Sequence, residues 1–147
     1  MTHAAFAITN AAALIAWLVL VLAPRRPAVL SAVMYLGVGL LCLAYLAIGA
    51  WLLSHPATGG GGMPGFTPEG LAAAFASPPV MVLGWTHYLA LDLFTGLWIA
   101  RDADNKSFSR LVQAPVLVLT FVAAPLGLLA WLAVRERRAR AGAPRRR

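Results

Sequence analysis

The chain has 147 residues, of which 61% are hydrophobic and only 12% charged, with a mean hydropathy of +0.77 and a formal net charge of +7. Soluble domains carry about 25% charged residues, so this composition excludes an ordinary water-soluble globular fold. Lone Cys42 excludes an intramolecular disulfide, and a small hydrophobe within an apolar run is its simplest reading.

A helix crossing a hydrocarbon core of about 30 Å needs roughly 20 apolar residues at about 1.5 Å rise each. Four runs qualify, residues 4–23, 28–53, 80–100 and 111–134. They predict an all-α polytopic membrane protein, a four-transmembrane-helix bundle forming one domain over residues 1–134. A basic tail at residues 135–147, expected to be disordered, follows it. No Lys or Arg precedes the first run and Arg25 and Arg26 follow it, which predicts a retained span rather than a cleaved signal.

Cytoplasmic loops are enriched in Lys and Arg. Four spans put Arg25, Arg26, Arg101, Lys106 and Arg110 on one side, and the loop at residues 54–79, which has neither residue type, on the other. The tail conflicts with that arrangement, because Arg135, Arg137, Arg138, Arg140, Arg145, Arg146 and Arg147 then lie opposite the other basic residues. Charge therefore leaves three alternatives: a last helix inserted against the rule, a span count wrong by one, or an inverted topology.

In the loop, the glycine run 59–62 predicts flexibility, and Thr67-Pro68-Glu69 predicts a capped helix start. Leu71 and Phe75, four apart, give that short helix one apolar side and predict an interfacial helix that lids one end of the bundle. Ser77-Pro78-Pro79 stops it and starts the third span.

The third span carries Asp92 and His87 inside an otherwise apolar run. A carboxylate at the centre of a spanning helix costs roughly 2.5–3.5 kcal/mol even on lenient insertion scales, so it is expected to face a partner or cavity. At 100° per residue Trp85, Tyr88, Asp92 and Gly96 share one face while His87 points well away. Asp92 reads either as a proton-handling or substrate-orienting acid, or as a structural group bonded to a neighbouring helix. His87 reads as an acid, base or ligand, or as an interhelical histidine. Trp85, Tyr88, Phe94, Trp98 and Trp131 suit a pocket for a long flat polyene, and equally an interfacial belt.

Pro125, near the middle of the fourth run, deprives the Phe121 carbonyl of its usual donor and predicts a kink, with Gly127 allowing a close approach beyond it. It is either a tolerated membrane proline or a functional hinge.

No metal site is expected. Residues 102–106 begin like a calcium loop, but Lys106 stands where an oxygen ligand is needed, and His3, His55 and His87 lack ligand spacing. Residues 59–62 lack the Gly-Lys-Ser/Thr ending of a phosphate loop, and no cofactor motif assigns a cofactor. The arginine tail suits anionic lipid rather than nucleic acid.

The run from Gly84 to Phe94 (Gly84-Trp85-Thr86-His87-Tyr88-Leu89-Ala90-Leu91-Asp92-Leu93-Phe94), with Gly96, Trp98 and Arg101-Asp102, resembles the abscisic-acid-deficient 4 like family of small membrane proteins. Pro115, Leu119-Thr120-Phe121 and Ala124-Pro125-Leu126-Gly127 are similar too, so the resemblance covers the C-terminal third to half. In plants that family is associated with plastid membranes and with neoxanthin formation from violaxanthin.

The resemblance implies carotenoid or other isoprenoid chemistry in a bilayer. The Ala-, Gly- and Arg-rich composition looks like a bacterial member and implies a plasma-membrane location. Opening a xanthophyll epoxide to an allenic alcohol needs an acid for the oxygen and a base for a vinylic proton, which gives Asp92 the acid role and His87 the base role. Trp85, Tyr88, Phe94, Trp98 and Pro125 are the expected substrate contacts. The alternative is a non-catalytic protein that binds carotenoid or lipid or assists other enzymes, with Gly37, Gly39, Gly49, Ala90 and Gly96 permitting close packing within or between copies of a homo-oligomer. Proton-coupled transport is the third reading.

Overall fold

The structure, a computed structural model, describes residues 2–59 and 67–142. Among the described residues three helices are long and apolar enough to cross a membrane: α1 (Thr2–Leu22), α2 (Pro27–Ser54) and α4 (Pro78–Asn105). They match the first three predicted runs: α2 and α4 extend theirs at both ends, and α1 begins two residues earlier and ends one residue sooner than its run. Between α2 and α4 lies α3 (Pro68–Phe75), and α5 (Arg110–Val122) and α6 (Ala124–Gly142) complete the chain. Residues 60–62 of the glycine run and 143–147 of the basic tail lie outside the described residues.

The local signals around α3 act as predicted. Thr67 caps it, its Oγ1 accepting from the Gly70 amide at 3.1 Å, and Pro68 occupies the first turn where its missing N–H costs nothing. Phe75 packs its ring against Gly84 of α4, so closely that a methyl group at Gly84 would lie 2.7 Å from Cε1.

α1, α2 and α4 pack through small residues. A methyl group at Gly37 would meet Ala16 Cβ and Leu93 Cδ2 at 3.0 Å, within a stretch of α2, Val33–Gly39, that is wound as a π-helix. One at Gly96 of α4 would overlap the Trp17 ring of α1. Small residues bring backbones together where lipid removes the hydrophobic drive to associate. Buried Thr86 and Thr120 return their hydroxyls to Val82 and Val116 carbonyls at 2.8 and 2.7 Å, so neither is left unpaired.

The fourth predicted run is not one helix. It breaks at Ala123, whose φ of −154° and ψ of 89° are extended, and Pro125 falls in the first turn of α6 instead of at a kink. The chain folds back there, so that Gly127 touches Thr120 and the Arg138 guanidinium lies 4.3 Å from the Phe108 ring centroid. In one continuous helix residues 108 and 138 would be about 45 Å apart. α5 and α6 thus form an antiparallel hairpin whose open end lies beside the C-terminal end of α4.

Polar bonds fix that end. Trp131, fully buried, donates from Nε1 to Asp102 Oδ2 at 3.0 Å, and Asp102 also meets Lys106 at 2.9 Å and Arg135 at 3.5 Å. Gln113 donates from Nε2 to Asp104 Oδ1 at 2.9 Å, and Asp104 faces Arg25 at 3.8 Å. Arg110 donates to the Ala23 carbonyl at 2.7 Å. Burial holds the Arg25 guanidinium below its ordinary pKa, with Asp104 opposing that shift and Arg110 adding to it.

Candidate functional site

Asp92 sits near the midpoint of the 28-residue helix α4, half-buried, on a face that turns toward α1. A cleft of about 570 Å³ opens there, with Asn10, Ala13 and Leu14 of α1 on one wall and Trp85, Tyr88, Leu89 and Asp92 of α4 on another. The tip of the hairpin, Phe121 and Val122, also lines it, and Phe121 packs edge-on against Trp17 at 5.5 Å between centroids. The helix break at Ala123 therefore does more than end α5. It carries two apolar side chains to the depth of the acid.

The polar groups of the cleft are few. Trp85 donates from Nε1 to Asn10 Oδ1 at 3.1 Å, and Asn10 donates in turn from Nδ2 to the Phe6 carbonyl at 2.7 Å. That chain ties the cleft wall of α4 to α1 and fixes the indole. Among the described residues the Asp92 carboxyl has no hydrogen-bond or ion-pair partner.

The predicted site residues divide. Asp92, Trp85 and Tyr88 come together on the cleft. His87 stays off the cleft wall: it is exposed, with its ring 5.7 Å from that of Tyr45 on α2 and edge-on to that of Tyr88 at 6.0 Å. Phe94 and Trp98, seven and eleven residues beyond His87, share its side of α4 and are 44% and 37% exposed. Pro125 is exposed in the first turn of α6, next to the tip but not on the cleft wall. Asn10 escaped the sequence reading, although a primary amide inside an apolar run was a signal of the same kind as Asp92. Among the described residues no three His, Cys, Asp or Glu side chains gather in one place.

Three long apolar helices and a mid-helix acid on a cleft define a small integral membrane protein of the helical, polytopic class. Its family follows from the sequence: a family model described as ABA DEFICIENT 4-like matches residues 4–131, and the chain belongs to that family. The match takes in α1 and α2 as well as the C-terminal half that carries the resemblance. No curated protein and no solved structure matches the chain.

Proposed function

We propose that this chain acts in carotenoid or isoprenoid metabolism, taking a lipophilic molecule into the cleft with its oxygen-bearing end against Asp92. One observation carries the reading: a carboxyl group without a partner among the described residues, half-buried on a cleft of about 570 Å³ whose other walls are mainly aromatic and aliphatic. Such a group is costly in hydrocarbon unless a ligand or proton satisfies it. Membership of the ABA DEFICIENT 4-like family supports the same direction.

In the enzymatic form of this proposal the reaction is an isomerisation of a xanthophyll epoxide. Asp92 delivers a proton to the epoxide oxygen as the ring C–O bond breaks, and a base removes a vinylic proton as the allene forms, so no atom is gained or lost. Trp85 and Tyr88 bind the end ring. His87 is the proposed base, but it lies off the cleft wall, in contact with Tyr88 on the side of α4 away from Asp92. That separation favours a second reading, in which the cleft binds the pigment without converting it. In either form α3 rests at the membrane interface over one end of the helices, and the protein resides in a bacterial plasma membrane.

The test is expression of the wild type, Asp92→Asn and His87→Ala at equal membrane levels in a host that makes xanthophylls, followed by chromatography of extracted and copurified pigments. A new pigment lost in Asp92→Asn supports the enzyme, and bound, unconverted pigment lost in Asp92→Asn supports the binder. Neither conversion nor binding by correctly inserted wild type contradicts both.

A further inference from the structure

We propose that α5 and α6 form a re-entrant hairpin, entering and leaving the bilayer on one side, so that every Lys and Arg of the chain gathers at a single membrane face. Three independent observations converge on it.

The first is length. α5 has 13 residues, a rise of roughly 20 Å, which falls short of a hydrocarbon core of about 30 Å. Its tip, Phe121 and Val122, lies with Asp92 and Asn10, near the middles of α4 and α1.

The second is the return path. Contacts pair Thr120 with Gly127 beside the break and Phe108 with Arg138 at the open end, an antiparallel register maintained over the whole hairpin. Trp131 and Arg135 reach Asp102, at the same end of α4 from which α5 departs.

The third is charge. Of the 12 Lys and Arg residues, four crossings would place five on one side and seven on the other, against the usual bias. With a re-entrant hairpin all 12 fall on the side of Arg25 and Arg26, and the loop between α2 and α4 keeps only Glu69. The conflict between tail and loops disappears. Irregular backbone at membrane depth is tolerated where protein or a cavity covers it, and the break at Ala123 adjoins the Asp92 cleft. The N-terminus and α3 then face outward, and the α4–α5 loop and the C-terminus face the cytoplasm.

The test uses the full chain with Cys42→Ser, carrying Thr58→Cys, Ser107→Cys or Arg137→Cys singly, in right-side-out and inside-out vesicles treated with a membrane-impermeant maleimide. The expected result is labelling of Thr58→Cys in right-side-out vesicles only, and of both Ser107→Cys and Arg137→Cys in inside-out vesicles only. Labelling of Arg137→Cys from the side opposite Ser107→Cys overturns the proposal. A reporter active only in the cytoplasm, placed either in the α4–α5 loop after Ser107 or after Arg147, repeats the decision without any introduced cysteine: activity at both positions supports the hairpin, and activity at only one of them in a correctly inserted chain overturns it. A Ser107→Cys/Arg138→Cys pair should also cross-link within one chain through a short bis-maleimide, whereas four crossings would hold the pair on opposite membrane faces and prevent it.

Discussion

Replacing Asp102 by alanine should release α6 from the end of α4, and the geometry sets the size of the effect. The Trp131 ring is fully buried and its Nε1–H donates to Asp102 Oδ2 at 3.0 Å. Removing the acceptor leaves that donor buried and unpaired, a loss of about 1–3 kcal/mol. Lys106 and Arg135 also meet Asp102, but each is 38% exposed, and together they add only about 0–1 kcal/mol. Asp102→Ala is therefore expected to cost about 1–4 kcal/mol, and Lys106→Ala under about 1 kcal/mol. Reversible unfolding in mixed detergent micelles, read by tryptophan fluorescence, measures both. Trp131→Phe keeps the apolar ring and removes the donor, so the cycle with Asp102→Ala should give a coupling of about 1 kcal/mol or more. A coupling of zero, or an Asp102→Ala variant no weaker than Lys106→Ala, would refute the argument that this bond holds the hairpin.

Glycine substitutions provide a second set of expectations by the same unfolding measurement. Gly96→Ala drives a methyl group into the buried Trp17 ring and should cost about 1–3 kcal/mol; a neutral result would contradict the close approach of α1 and α4. Gly127→Ala should destabilise the hairpin comparably, because its methyl group would overlap Thr120 beside the break. Gly39→Ala is the contrast: its methyl group meets only the Met34 carbonyl at 3.5 Å, so the change should be neutral or stabilising by up to about 1 kcal/mol. In pigment binding, Asn10→Leu should weaken retention less than Asp92→Asn, because Asn10 serves to hold the Trp85 indole; equal losses would give Asn10 a direct role.

The three long helices were legible because an uninterrupted apolar run states its own length, and α3 because Thr67 and Pro68 mark a start that the backbone obeys. The common face of Trp85, Tyr88 and Asp92 followed from helical geometry alone, as did the divergence of His87. The hairpin was not legible from apolar length, since 24 residues at 111–134 satisfy the criterion for a span equally well as one helix or as two halves folded together. Its trace was in the charges: seven arginines after residue 134 disagreed with five basic residues before it. Pro125 was a second trace, yet a proline by itself does not distinguish a kink from the first turn of a new helix. The bonds of Asp102 to Trp131 and of Asn10 to Trp85 join residues 29 and 75 positions apart, and no local pattern announces either.

The role of Asp92 as the polar anchor of a lipophilic ligand is tested most directly by the pigment retained by purified protein from a xanthophyll-producing host. Wild type should copurify with carotenoid or convert it, and Asp92→Asn, inserted to the same level, should lose at least tenfold of that signal. Identical pigment content and identical products in the two proteins would contradict the claim.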